Sequence, residues 1–144
     1  MISVSDVLKH KGSQVWSLNV DASLREALAL LAEKDVGALL IVDGEKVAGV
    51  FSERDFARKL AEKEMMPMDT PINQLMTKDV FTVSPTDNIE QCMQLMTDKH
   101  IRHLPVLEDD KLVGLISIGD VVKHLISNQK SFISQLENYI SGRW

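Results

Sequence analysis

Shifting the chain against itself by 65 residues aligns 15–60 with 80–125 without a gap. Nine of those 46 pairs are identical: Val15/Val80, Leu30/Leu95, Lys34/Lys99, Leu39/Leu104, Lys46/Lys111, Gly49/Gly114, Ser52/Ser117, Asp55/Asp120 and Leu60/Leu125. Other pairs keep their character, as in Trp16/Phe81, Val36/Ile101, Ile41/Val106 and Val47/Leu112. A unit of about 50 residues is marginal alone, so two copies gain most by burying their apolar faces against each other. A shorter lead recurs at a shift of 68, where "VSDVL" (4–8) resembles "INQLM" (72–76).

Each unit reads as β-α-β-β-α. A short strand ("VWSLNV"; "VFTVS") precedes a helix whose apolar positions fall at helical spacing: Leu24, Ala27, Leu28 and Leu31, then Ile89, Cys92, Met93 and Met96. Asp21 or Ser23, and Thr86 or Asn88, are candidate caps for these helices. Two strands joined by a tight turn follow, with Asp43-Gly44 as the turn signal in the first unit. A second helix starts after Ser52 and after Ser117. The expected fold is α+β: two β-α-β-β-α repeats packed with pseudo-two-fold symmetry, with clefts where they meet. The expected organisation is a first repeat over 1–63, a linker with two prolines at 64–71, a second repeat over 72–127 and a helical tail over 128–144.

The second-helix junction carries the chemistry. "GVFSERDFARKL" (49–60) and "GLISIGDVVKHL" (114–125) share Gly, Ser, Asp and Leu at the same spacing. Ser-x-x-Asp before a helix is close to a capping box, and capping alone would account for those two residues. Gly49 and Gly114 add something, because glycine inside an apolar strand marks the close approach of a ligand or of another backbone. A carboxylate at a helix N-terminus disfavours a phosphate directly on it, but it accepts hydrogen bonds from vicinal hydroxyls such as those of a ribose.

Net charge and composition narrow the partners. The chain has 144 residues and a formal net charge of −5, which argues against a nucleic-acid or membrane-surface binder. Cys92 is the one cysteine, so no internal disulfide forms, in keeping with a reducing, cytoplasmic location. The N-terminus "MISVSDVLKH" has no signal-peptide pattern, and no apolar run reaches the ~18 residues of a membrane span. His100, His103 and Cys92 lack any recognised metal-ligand spacing, so no metal is expected. No nucleophile has a partnered base, so the chain does not read as an enzyme. "ERDFARKLAEKE" (53–64) reads as a solvated helix face with Asp55–Lys59 and Arg58–Glu62 pairing. In "SFISQLENYISGRW" (131–144), Phe132, Ile133, Leu136 and Ile140 fall at helical spacing with Tyr139 beside them. That face packs either on its own module or on a partner subunit.

Two units each ending in hydrophobic-Gly-hydrophobic-hydrophobic-Ser-x-x-Asp, with "RHLPVLE" before the second hairpin turn, resemble a tandem cystathionine-β-synthase (CBS) domain pair, or Bateman module. "SERDFARK", "GLISIGDVVK" and "ISQLENYI" resemble its small stand-alone bacterial members. The resemblance implies a regulatory module that binds an adenosine ligand (AMP, ADP, ATP, NAD or S-adenosylmethionine), with AMP or NAD favoured. It also implies a homodimer and a downstream protein target that the sequence does not name. In such a pair the Asp holds both ribose hydroxyls, the Ser helps hold ribose and phosphate, and apolar side chains sandwich the adenine. Carried over, one cleft holds Leu115, Ser117 and Asp120 with Asn19, Leu24, Val36 and Gly37, and with Arg102 and His103 towards the phosphate. The other holds Val50, Ser52, Arg54 and Asp55 with Ser84, Ile89, Ile101 and Arg102. Because Arg102-His103 replaces Gly37-Ala38 and Arg54 replaces Gly119, the two clefts are expected to differ in affinity or ligand. The competing expectation is a scaffold module of the same fold that binds no nucleotide.

Overall fold

A computed structural model describes residues 2–12 and 14–141. The first unit contains β1 (Ser17–Asn19), α2 (Leu24–Lys34), β2 (Ala38–Asp43), β3 (Lys46–Ser52) and α3 (Glu53–Lys63), after a leading α1 (Val4–Lys11). A 3-10 turn at Ile72–Gln74 leads into the second unit, with α4 (Ile89–Lys99), β4 (His103–Glu108), β5 (Lys111–Ser117) and α5 (Ile118–Ile140). β1 lies parallel to β2, which pairs antiparallel with β3. In the second unit the strand expected over 80–84 shrinks to one parallel bridge, Val83 to Val106, beside the β4–β5 hairpin.

The repeat is visible in detail. Both hairpins carry an irregularity at the same place, Ile41/Val42 and Val106/Leu107. Ser23 and Asn88 cap the first helices, each accepting from a backbone N–H of the opening turn. Those helices end on left-handed residues at equivalent positions, Asp35 (φ 51°) and His100 (φ 55°). His100 is thereby explained as a helix terminus. Lys34 lies 4.4 Å from the Trp16 ring centroid and Lys99 lies 5.3 Å from that of Phe81, which accounts for two of the recurring pairs. In the second hairpin turn, Asp109 and Asp110 take the positive φ that Gly44 takes in the first.

The two lead segments are exchanged. Val4 and Val7 of α1 are fully buried in the core of the second unit, with Ile89, Met96, Leu104, Val106 and Ile116. Ile72, Leu75 and Met76 are buried in the core of the first, with Leu24, Leu31, Leu39, Ile41 and Phe51. The hydrogen bonds match: Ile89 N–H donates to the Ile2 carbonyl at 3.0 Å, while Leu24 N–H donates to the Thr70 carbonyl at 2.8 Å. Each half-core is therefore completed by chain from outside its own unit, which couples the halves.

This exchange also accounts for the strand glycines. A Cβ on Gly49 would stand 2.8 Å from the Thr77 carbonyl oxygen and 2.6 Å from Met76 Sδ. A Cβ on Gly114 would stand 2.7 Å from Leu8 Cδ2. Of the two reasons expected for these glycines, the structure supplies close approach by protein: the lead segment of the opposite unit.

The tail does not fold back on the module. It continues α5, and Phe132 (61% exposed), Ile133 (53%) and Ile140 (82%) stay open to solvent. Of the sequence-based tail, residues 142–144 and the Tyr139 side chain lie outside what the structure describes. No helix among the described residues is long and apolar enough to cross a membrane.

Candidate functional site

The two Ser-x-x-Asp junctions begin alike. Ser52 Oγ accepts from the Asp55 N–H at 3.1 Å, and Ser117 Oγ accepts from the Asp120 N–H at 3.2 Å. The carbonyls of Gly37 and Arg102 each accept from the first N–H of the helix that follows, Glu53 at 3.1 Å and Ile118 at 2.8 Å. Helix capping is therefore real at both.

Beyond the cap they diverge. The Asp120 carboxylate completes its capping box by accepting from the Ser117 N–H at 2.8 Å. Its Oδ2 also receives Lys11 Nζ, from α1, at 2.6 Å, and Lys11 Nζ donates in addition to the Leu115 carbonyl at 2.8 Å. Burial would raise this carboxyl, but the bonds from Lys11 and Ser117 outweigh it and hold it below the ordinary carboxylate range. Asp55 instead accepts at Oδ2 from the Thr77 hydroxyl at 3.1 Å, and its Oδ1 takes no hydrogen bond among the described residues.

Asp55 opens into a cleft of about 820 Å³ between the two units. That volume is within the range of small-molecule sites. The first unit contributes Gly37, Val50, Ser52, Arg54, Asp55 and Arg58; the second contributes Phe81, Ile101, Arg102, His103 and Ile118; Thr77 and Val80 lie on the connecting chain. Arg54, Arg58 and Arg102 form no ion pair among the described residues. They sit close enough that the Arg102 and then the Arg58 charge lower the affinity of Arg54 for its proton. Burial first, then the Lys11 charge, lowers the His103 pKa below 6.5, so its imidazole is neutral near pH 7. The Asp55–Lys59 and Arg58–Glu62 pairs read from the sequence do not form; Lys59 Nζ donates to the Leu75 carbonyl at 2.6 Å.

Of the residues singled out in sequence, Gly37, Val50, Ser52, Arg54, Asp55, Ile101, Arg102 and His103 meet in this one cleft. Gly37 and His103 were assigned to the other. Leu24 and Ile89, at 0% and 1% exposed, are drawn into the two cores by the apolar faces of their helices and do not line this cleft. Val36 packs on the first core, Ser84 lies beside Asp87 and Glu108 elsewhere, and Asn19 accepts from the Asp21 N–H. Leu115, Ser117 and Asp120 are together under Lys11. Sequence reasoning missed Thr77 and Lys11. Thr77 follows the recurring lead and was within reach of that signal; nothing in the sequence marked Lys11, because after Leu8 and Met76 the leads no longer correspond.

The family model of the CBS domain matches residues 4–62 and again 72–127. The chain belongs to the CBS domain family. This CBS pair is 34% identical over 150 residues to the CBS domain-containing protein CBSX3, mitochondrial, of Arabidopsis thaliana, spanning 97% of this chain and 72% of that one. It is 42% identical to a solved protein with CBS domains from Burkholderia ambifaria MC40-6, with a TM-score of 0.83 over 89% of this chain and 96% of the other. It shares its fold with the CBS domain pair of protein MJ0100, solved with 5'-methylthioadenosine and S-adenosyl-L-methionine, at 24% identity and a TM-score of 0.76 over 90% and 98% of the two chains.

Proposed function

We propose that this CBS pair is a non-catalytic regulatory module that binds an adenosine nucleotide, AMP or NAD in class, in the cleft between its units. One observation carries this reading: an Asp55 carboxylate with an open oxygen shares the cleft with three guanidiniums that have no carboxylate partner among the described residues. The three arginine charges repel one another although the Glu53, Asp55 and Asp79 carboxylates line the same cleft, and a phosphate would relieve them with bidentate bonds. In this reading Asp55 and Ser52 take the ribose, Val50 and Ile101 flank the base, and Arg54, Arg58 and Arg102 take the phosphate. A fold relative that carries two adenosine compounds accords with the ligand class. Leu115, Ser117 and Asp120, gathered at the start of α5, form a second and unequal hook. Nucleotide regulates the module only as far as it binds one arrangement of the units more tightly than another. The single buried thiol, Cys92, pushed up to about 11 by burial, suits a reducing cytoplasm.

Calorimetric titration with AMP across pH tests the phosphate end. In the free protein the depressed His103 pKa means stability is lost as pH falls from 6.5 through the folded value. A bound phosphate favours the imidazolium, so AMP affinity rises by about three- to tenfold between pH 8 and pH 6. His103→Gln removes that rise, while the protonation of AMP itself is common to both proteins. No binding at any pH rejects the nucleotide reading; an unchanged pH profile in the variant rejects the role of His103.

We further propose a homodimer, carried by the exposed face of α5. Val122, Ile126, Gln129, Ile133, Leu136 and Ile140 run along α5 at alternating steps of four and three, the spacing of a two-helix seam. The apolar members are 37–82% exposed, so the seam is unpartnered within one chain. Its one polar position, Gln129, is matched best by Gln129 of an identical helix, which favours a second copy as the occupant. Ile133→Asp is expected to convert dimer to monomer in sedimentation; a wild-type monomer, or a variant that stays dimeric, rejects this seam.

A further inference from the structure

We propose that Lys11 is a tethered competitor that makes the second hook the weaker of two nucleotide sites, a proposal that rests on the nucleotide reading above. The repeat supplies two hooks of the same composition, Ser52/Asp55 and Ser117/Asp120, each with a strand carbonyl alongside, Val50 and Leu115. In the first unit, Val50 forms a backbone bridge with Thr77 (N–H to O 3.1 Å one way, 2.8 Å the other), and the Thr77 hydroxyl reaches Asp55. This neutral partner leaves Asp55, which lines the cleft, with an Oδ1 that takes no hydrogen bond among the described residues.

The second unit solves the same geometry differently. Its lead stays helical to Lys11, so no extended backbone reaches Leu115, and the lysine ammonium stands in for it. Nζ lies 2.8 Å from the Leu115 carbonyl and 2.6 Å from Asp120 Oδ2. The Leu115 carbonyl and Asp120 Oδ2 are thus held by the chain's own cation, where the equivalent Val50 carbonyl and Asp55 Oδ2 are held by the neutral N–H and hydroxyl of Thr77. Asp120 Oδ1, like Asp55 Oδ1, takes no hydrogen bond among the described residues, so the hooks differ in the charge of their occupant. The lysine is also held in position: Leu8, one turn earlier, fills the notch over Gly114, the His10 and His124 ring centroids lie 5.3 Å apart with a 50° tilt, and His124 Nδ1 is 3.0 Å from the Asp120 carbonyl oxygen. Lys11 and Asp120 side chains remain 33% and 24% exposed, so a ligand can displace the pair. The cost of displacement falls on one hook only.

The guanidiniums add to the difference, because Arg54, Arg58 and Arg102 all line the Asp55 cleft. Lys11 therefore acts as a specificity-determining residue: it sets the order in which the hooks fill.

The experiment is a two-site titration of AMP into wild-type, Lys11→Ala, Lys11→Arg and Asp55→Asn proteins. Wild type is expected to show a tighter and a weaker site. Lys11→Ala, at an exposed helix end, tightens the weaker site by about five- to tenfold and leaves the tighter one unchanged. Lys11→Arg keeps the charge and keeps the gap, whereas Asp55→Asn weakens the tighter site alone. A single wild-type site with a second appearing in Lys11→Ala also supports the proposal. Two equal sites in wild type, or no gain of affinity or stoichiometry in Lys11→Ala, overturns it even if AMP binds. Binding to Lys11→Ala that ignores Asp55→Asn would keep the competitor and reject the Asp55 cleft; absence of AMP binding in every protein rejects both.

Discussion

Replacing Asp55 by alanine weakens AMP binding by about a hundredfold. Hydrogen bonds to an ionised partner contribute about 1.5–3 kcal/mol each, and a carboxylate facing two ribose hydroxyls makes two of them. Their summed loss, discounted for water returning to the hydroxyls, is about 2.7 kcal/mol, or two decades of affinity. The fold has little at stake. Asp55 donates its backbone N–H to Ser52, which alanine retains, and the side chain makes one bond, from the Thr77 hydroxyl at 3.1 Å. Urea unfolding of the variant should therefore shift by less than about 1 kcal/mol. Calorimetry separates these outcomes: intact affinity in a folded Asp55→Ala protein would remove the carboxylate from the ribose role.

Valine at Gly49 is expected to cost about 3 kcal/mol of stability, near the upper end for overpacking. Even the first added carbon would stand 2.8 Å from the Thr77 carbonyl oxygen, which is backbone and cannot rotate away. That carbonyl accepts the Val50 N–H, and the Thr77 N–H donates to the Val50 carbonyl at 2.8 Å. Relief requires the connecting chain to lift off β3, unpairing both bonds and withdrawing Met76 from the first core. A thermal midpoint lower by about 10 °C follows for a chain of this size. Gly114→Ala is the control, because its added carbon meets only the Leu8 side chain, whose rotamers can yield. Equal losses at the two positions would contradict the exchanged-lead packing.

The regular part of the fold was legible because its signals are local. Helical spacing of Leu24, Ala27 and Leu31, the capping Ser23 and Asn88, and the turn glycine Gly44 each act within a few residues. The exchange of leads was not legible, since apolar residues at 4–8 and 72–76 state that they need a core without stating whose. Gly49 and Gly114 did announce a close neighbour, and only tertiary structure could say that protein fills the notch. The candidate site divides along the same line. Residues on the junction itself, Val50, Ser52, Arg54 and Asp55, line the cleft because the strand-to-helix turn sets their direction. Leu24 and Ile89 lie in the cores, because an apolar residue opening a helix serves a core as readily as a ligand. Lys11 reaches Asp120 across 109 positions of sequence, a contact that no periodicity encodes.

A crystal structure of the chain grown with AMP tests the central claim most directly. Nucleotide density is expected between the units, with ribose hydroxyls on Asp55 and phosphate facing Arg54, Arg58 and Arg102. Density for AMP at any other place, or an empty cleft at saturating AMP, would contradict it.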